Sequence, residues 1–135
     1  MNKRKNELYL PGKCNIGPKE IRKRYLVGAI GFMIAAILLF LLSFFKAGYA
    51  LFIITILPFI LGFIGFYQGH EKFCIGNAIA GVYDFSGNKG KRSHVNDRIS
   101  HMKDIKKAVL LLSYSIVSAA IITFIFVLLA YYGVI

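Results

Sequence analysis

Apolar residues are concentrated in three long blocks that are separated by polar, charged segments. The blocks are residues 25–45, 51–67 and 108–132, with 21, 17 and 25 residues, and none of them contains Asp, Glu, Lys, Arg or His. None shows the period of about 3.6 residues that marks a helix with one face in water. A bilayer core needs roughly 20 apolar helical residues, with a range of about 17 to 25. Because a backbone in hydrocarbon must satisfy its own hydrogen bonds, the blocks predict three transmembrane helices.

The connections between the blocks divide the chain into four segments. Residues 46–50 are a short turn, so 25–67 is predicted to be a transmembrane helical hairpin with helices 25–45 and 51–67. Before it lies a basic N-terminal segment (1–24), and after it a basic loop with an interfacial helix (68–107) and a third helix with a short tail (108–135). The predicted fold class is an all-α membrane protein with a helical hairpin, a third helix and a cytoplasmic helical loop. We expect the first block to remain in the mature protein, because no small-residue cleavage site follows it.

The distribution of charge predicts how the chain is threaded. The sequence has 17 Lys and Arg against 6 Asp and Glu, a net charge of +11. Eight of the basic residues precede the first block, eight lie in the long loop, and Lys46 alone lies in the 46–50 turn. The positive-inside rule therefore places the N-terminus and the loop in the cytoplasm and the C-terminus outside. The predicted location is the cell (plasma or inner) membrane, with several passes.

Composition narrows the possible partners. The chain is 57% hydrophobic and 17% charged, with a mean hydropathy of +0.62, whereas soluble domains are about half apolar and a quarter charged. No recognition helix or zinc finger accompanies the basic residues, so nucleic acid is not a predicted partner. Basic residues beside membrane helices are attracted to anionic headgroups by about 1 kcal/mol each. The predicted headgroup contacts are Arg22, Lys23, Arg24, Lys89, Lys91, Arg92, Lys106 and Lys107.

The second block contains a proline and several glycines that predict its local structure. Pro58 cannot donate a hydrogen bond to the carbonyl of Ile54, so a kink is predicted near it, where Thr55 could satisfy a freed carbonyl. Small residues let two helices approach closely. The predicted helix-packing residues are Gly62, Gly65, Gly69 and, in the third block, Ser118. We interpret the glycines as packing within the hairpin rather than between two copies of the chain.

The long loop, residues 68–107, holds most of the remaining polar residues and is predicted to contain an interfacial segment. Residues 73–85 are moderately apolar but too short to span a bilayer, so they are expected to lie along the inner interface or dip into it. Residues 84–92 form a turn-rich basic segment. From Ser93 we predict a helix that continues into the third block.

Cys14 and Cys74 are the only cysteines, and the predicted threading places both on the inner side of the hairpin. A reducing cytoplasm disfavours a permanent disulfide. The favoured interpretation is two unreactive, packed thiols. A transient thiol pair, a sulfur-carrying thiolate, or a metal site that also uses His70 stays open, although three ligands at this spacing indicate a metal only weakly.

Four polar residues of the loop recur at helical spacing. His94, Asp97, His101 and Asp104 would share one face of the predicted helix, with an Asp beside each His. Such pairing raises histidine pKa values and could form a pH-sensitive strip, or a metal site at His94, Asp97 and His101. A solvated polar face is the simpler interpretation. No catalytic triad or pair of carboxylates indicates hydrolysis, and no cofactor is predicted.

A short pattern marks the two ends of the predicted hairpin: Cys14-Asn15-Ile16-Gly17, Ile21-Arg22, Gly28, and Phe73-Cys74 after the second helix. On these residues, positions 14–76 resemble a family of small two-helix bacterial inner-membrane domains of unknown function, sometimes fused to a rhodanese. The resemblance covers about half of the chain and implies a helical hairpin and a role in sulfur handling. This chain adds a third helix and a basic loop, lacks the proline that usually follows the family's cysteine, and contains no rhodanese domain.

The three blocks also bear on function. Ion-coupled transporters and proton relays usually need ionisable groups inside the membrane, and these blocks have none. We therefore predict a non-enzymatic accessory or packing subunit of a larger membrane assembly, whose partners are the bilayer and other membrane subunits or further copies of itself. One alternative is a thiol- or sulfur-handling module using Cys14 and Cys74. The other is a homo-oligomeric pore lined by Ser113, Ser118 and Thr123.

Overall fold

Three long helices dominate the protein, as the blocks predicted. In the computed structural model, which describes residues 9–86 and 92–135, they are α1 (Pro18–Phe44), a composite second helix (Tyr49–His70) and α4 (Arg98–Tyr131). All three are long and apolar enough to cross a membrane. Helix α1 begins at Pro18, a residue suited to the first helical position because its missing N–H has no partner there.

The second helix changes type partway along. Tyr49–Thr55 is a 3₁₀ helix, and α2 (Ile56–His70) follows it directly. Pro58 therefore stands in the first turn of α2, where its missing N–H costs no hydrogen bond within the α-helix. The Thr55 hydroxyl donates a hydrogen bond of 2.7 Å to the Phe52 carbonyl. Where a kink was predicted, the chain instead switches from 3₁₀ to α geometry just before the proline.

Glycines bring the backbones of α1 and α2 into direct contact. A Cβ atom added to Gly65 would lie 2.3 Å from the Gly28 nitrogen, and one added to Gly31 would lie 2.4 Å from the Gly62 nitrogen. A Cβ at Gly69 would meet the Tyr25 ring at 2.9 Å. Gly62 and Gly65 of the second block thus pack inside the hairpin against Gly31 and Gly28 of α1, and Gly69, just after the block, packs against Tyr25.

Helix α4 packs on the other side of α2. Ala35 of α1, Phe59 of α2 and Ala119 of α4 form one buried apolar cluster. The hydroxyls of Tyr67 and Ser118 are 2.9 Å apart, which links α2 to α4 by a hydrogen bond. The outward sides of the three helices carry many large exposed apolar side chains, among them Phe40, Leu57 and Phe124.

One end of the bundle is covered by a small folded unit, here called the cap, which consists of the described residues in 9–17, 71–86 and 92–97. It contains the short helix α3 (Ile75–Ala80) and strands β1 (Val82–Tyr83) and β2 (Ser93–His94), which pair antiparallel. The loop that was predicted to be helical therefore contains one short helix and also a pair of short strands, which the sequence did not predict. Phe73 is fully buried against Ala108 and Leu111 of α4, so this segment packs on the helices.

The prediction that a helix starts at Ser93 is wrong. Ser93 and His94 pair with Tyr83 and Val82, and α4 begins only at Arg98. Asp97 has an extended backbone, and its carboxylate accepts hydrogen bonds from the amides of Ile99 and Ser100. A capping aspartate stops a helix from extending backwards because it satisfies amides of the first turn from a non-helical position.

The glycine contact predicts a large effect of adding one side chain. We expect Gly65→Leu to destabilise the protein by about 1–3 kcal/mol, because a side chain there forces the two backbones apart. Heating a Cys14→Ser protein in mild detergent, with a thiol-reactive dye as reporter, would show when the buried Cys74 becomes accessible. Gly48→Leu is the matched control, since a Cβ at Gly48 meets no atom within 4 Å. If Gly65→Leu and Gly48→Leu had equal midpoint temperatures of Cys74 labelling, the close approach of the α1 and α2 backbones would be contradicted.

Candidate functional site

Asn15 is the residue that joins the parts of the cap. Its side chain is fully buried; the amide nitrogen donates to the Cys74 carbonyl at 3.0 Å, and the amide oxygen accepts from the Cys74 nitrogen at 2.7 Å. Its own backbone nitrogen donates to the Lys72 carbonyl at 3.3 Å, and its carbonyl accepts from the Asp84 nitrogen at 2.9 Å. One asparagine therefore binds the chain after α2 and the end of β1 to the segment before α1.

The segment before α1 continues this pairing into the helix. Ile16 forms a parallel bridge with Asp84, and the Gly17 nitrogen donates to the Asp84 carbonyl at 2.8 Å. A Cβ at Gly17 would lie 3.0 Å from Cα of Phe85. A small residue is needed where this segment passes the end of β1.

Cys74 has a structural position at the start of α3. It is buried, and its sulfur accepts a hydrogen bond of 3.4 Å from the Asn77 nitrogen, as a helix-capping side chain does. Gln68, near the end of α2, accepts a hydrogen bond of 3.0 Å from the Ile75 nitrogen through its side-chain oxygen. Cys14 is partly exposed and donates a long hydrogen bond of 3.7 Å to the Ile16 carbonyl. Both thiols are free, and each has a backbone partner nearby.

A buried carboxylate fastens the N-terminal part of the cap to α4. Asp104 has no exposed surface and accepts hydrogen bonds from the Tyr9 hydroxyl at 2.6 Å and the Gly12 nitrogen at 2.7 Å. The Tyr9 ring also stacks on Tyr83 of β1, with centroids 4.6 Å apart. Burial, and then the neighbouring Asp104 carboxylate, raise the pKa of Tyr9 well above its usual range. The phenol therefore stays protonated as the donor in this contact.

An ion pair links the end of α2 to α4. Glu71, the residue after α2, accepts a hydrogen bond from the ammonium of Lys107, and His70 lies on its other side with its Nδ1 atom 3.4 Å away. The bond from Lys107 lowers the pKa of Glu71 below its usual value. Since both partners are partly exposed, solvent weakens the pair, and it serves to orient α4 more than to stabilise the fold.

The two sets of metal ligands suggested by the sequence are not brought together. Among residues 9–86 and 92–135, no three His, Cys, Asp or Glu side chains could hold a metal ion. His94 lies in β2 and Asp97 caps α4, so they do not share a helix face with His101 and Asp104. His101 instead places its Nε2 atom 3.0 Å from the Ala78 carbonyl of α3. Bonds to Ser100 and to the amides of Ile99 and Ser100 lower the pKa of the exposed Asp97.

The predicted headgroup residues fall into different surroundings. Arg22 and Lys23 are exposed on α1, Lys106 is exposed on α4, and Lys107 is paired with Glu71. Lys89 and Lys91 lie outside the described residues. Arg24 and Arg92 line one cleft of about 410 Å³ between the cap and the helices. Two arginines far apart in sequence thus share a concave site.

The hydroxyls proposed as a pore lining also differ in environment. Ser113 is exposed, Ser118 is bonded to Tyr67, and Thr123 is buried with a hydroxyl that has no hydrogen-bond partner among the described residues. At about 100° per residue, five-residue steps do not keep side chains on one helix face.

Sequence reasoning did not name Gln68, and it named Asn15 and Asp104 without predicting that they hold the cap together. Each is a polar side chain beside an apolar block or a helix start, which is a detectable signal. Its partner, however, lies far away in sequence: 59 residues for Asn15 and Cys74, and 95 for Tyr9 and Asp104.

Comparison with protein-family models, with curated proteins and with solved structures finds no match to this chain. The resemblance of positions 14–76 to the two-helix bacterial domain stays a prediction.

The contacts of Asn15 predict that its side chain is required for the cap. Asn15→Ala leaves two buried backbone groups of Cys74 without partners, at about 1–3 kcal/mol each. In a Cys14→Ser background, Cys74 should then react with a thiol reagent much faster at room temperature. Asn96→Ala, at an exposed asparagine, should leave the rate unchanged. An unchanged rate in Asn15→Ala would show that the cap does not depend on this residue.

Proposed function

We propose that the protein is a non-enzymatic accessory subunit of a larger membrane assembly, with the cap on the cytoplasmic side of a cell membrane. The observation that carries the proposal is the use of the reactive residue types in the cap and in the first turns of α4 beneath it. Asn15, Cys74, His101 and Asp104 each make a hydrogen bond to the backbone of another segment or cap a helix. The polar groups of these side chains are therefore engaged in hydrogen bonds that hold segments of the protein together.

The arrangement of surfaces supports the same proposal. The helices expose long apolar sides. Of the Lys and Arg residues that the structure describes, all but Lys46 lie in the cap or in the helix segments next to it. A subunit built this way presents a rigid, basic surface next to the bilayer and apolar helix faces within it. Both kinds of surface suit contacts with lipids and other membrane subunits.

The proposed orientation is tested by labelling with a membrane-impermeant maleimide. In a Cys14→Ser protein, Gly48→Cys should react in intact cells, because Gly48 lies in the turn at the end opposite the cap and has open space around it. The native Cys14, which is partly exposed, should react only after the membrane is permeabilised. The reverse pattern would invert the orientation.

Membership of an assembly is tested by native mass spectrometry of the protein extracted from its own membrane in mild detergent. We expect a second polypeptide at fixed stoichiometry. A pure homomer, or a monomer that carries the full cellular activity, would contradict the accessory role. The same experiment on Cys14→Ser and Cys74→Ser proteins should recover the same complex.

A thiol-handling role is the second candidate, and one contact favours it. Because Asn15 binds both backbone groups of Cys74, the segment that carries Cys14 lies directly beside Cys74. Serine can cap α3 in place of Cys74, so Cys74→Ser should keep the fold. Loss of the cellular phenotype in either Cys→Ser variant, with the complex intact, would favour this role over the accessory one.

A further inference from the structure

The cleft between the cap and the helices is lined by both polar and apolar side chains. Arg24 of α1 and Arg92, just before β2, contribute the two charges, and Gln68, near the end of α2, contributes an amide. Ile64 and Leu112 also line the cleft and belong to the second and third apolar blocks. If the blocks span a bilayer, the cleft lies at the level of the lipid headgroups.

The charge of Arg24 is incompletely compensated. Its guanidinium is 3.6 Å from Glu20, but Lys23 makes the much closer contact with that carboxylate. The Arg24 Nε atom is buried and has no hydrogen-bond partner among the described residues. A guanidinium donates up to about five hydrogen bonds, so this one retains donors for a further anion.

Among the residues that the structure describes, no Asp or Glu lines the cleft. Glu20 pairs with Arg24 from outside the cleft lining, at 3.6 Å, but is in closer contact with Lys23. The other described carboxylates contact other partners: Glu71, Asp84, Asp97 and Asp104. Two like charges on one concave, partly apolar site repel each other, and an anion between them removes that cost.

We propose that this cleft binds a phosphate group carried by an anionic lipid, with the phosphate between Arg24 and Arg92 and an acyl chain over Ile64 and Leu112. Guanidinium groups suit phosphate oxygens because they form paired, charge-assisted hydrogen bonds. The apolar lining residues favour an amphiphile over a free ion, since an acyl chain that covers Ile64 and Leu112 removes apolar surface from water. This is a discrete site, separate from the accessory role and from the general attraction of exposed basic residues to the membrane.

The test is lipid binding by the full-length protein after delipidation in non-ionic detergent. Phosphatidylglycerol is titrated in and followed by native mass spectrometry, with phosphatidylcholine as the neutral comparison. We expect a single tightly bound phosphatidylglycerol. Arg24→Gln/Arg92→Gln should weaken its binding by about tenfold or more, because two charge-assisted contacts are lost. Arg22→Gln/Arg98→Gln removes the same charge from exposed arginines and should have little effect.

A charge-preserving variant separates a specific site from surface attraction. Arg24→Lys/Arg92→Lys keeps the net charge but loses the paired geometry of the guanidinium. If the site is specific, this variant should bind phosphatidylglycerol about 3- to 10-fold more weakly than the wild-type protein. Equal effects of the cleft and control variants, or wild-type binding by the lysine variant, would overturn the proposal. Unchanged thermal midpoints show that the variants are folded.

Soluble glycerol phosphate distinguishes the source of the phosphate. Much weaker binding of glycerol phosphate than of phosphatidylglycerol, with both sensitive to Arg24 and Arg92, supports a lipid occupant. Equal affinity for the two would overturn the lipid assignment and make the cleft a site for a soluble phosphate compound. Equal binding of phosphatidylcholine and phosphatidylglycerol would overturn recognition of the anion. If native mass spectrometry of the membrane extract found no second polypeptide, that result would contradict the accessory role and would leave the lipid site unaffected.

Discussion

Backbone amide and carbonyl groups that lie beside hydrocarbon need partners within the protein, and most of this structure follows from that requirement. It makes the apolar blocks helical, and it places the change from 3₁₀ to α geometry just before Pro58. It also explains the cap, because the ends of helices leave groups that the helices cannot satisfy. Asn15 and Gln68 supply side-chain partners for the backbone of Cys74 and Ile75 at the start of α3.

The glycine contact between α1 and α2 determines where those partners can meet. Gly28 and Gly65 let the two backbones touch, which brings the segment before α1 close to the segment after α2. Asn15 can then reach Cys74 with both ends of its amide. Larger residues at the glycines would separate the helices and move these hydrogen-bonding groups apart. Packing within the apolar part therefore controls pairing in the polar part.

The sequence was informative where the signal was local and weak where it depended on distant pairs. Block length predicted all three helices, and glycine spacing pointed to close packing of helices. The helix predicted from Ser93 failed because His94 pairs with Val82 in a short antiparallel sheet, and because Asp97 caps α4 from an extended backbone. The anchoring roles of Asn15 and Asp104 depend on partners many tens of residues away, which no periodicity reveals. The sequence did not reveal the cleft that Arg24 and Arg92 share, because these two residues are also far apart in the sequence.

The few acidic residues explain why so much positive charge remains available. Asp97 begins α4, Asp104 fastens the segment containing Tyr9 and Gly12, and Glu71 ties the end of α2 to α4. Each of these three carboxylates lies at or near a junction between segments, as an acceptor for amides, a phenol or a lysine, whereas Glu20 pairs with Lys23 within α1. With 17 basic residues against 6 acidic ones, most cations have no carboxylate to pair with. A protein that uses its acids for internal junctions must find its remaining counter-charges outside itself, and beside a bilayer the most abundant source is the anionic headgroup.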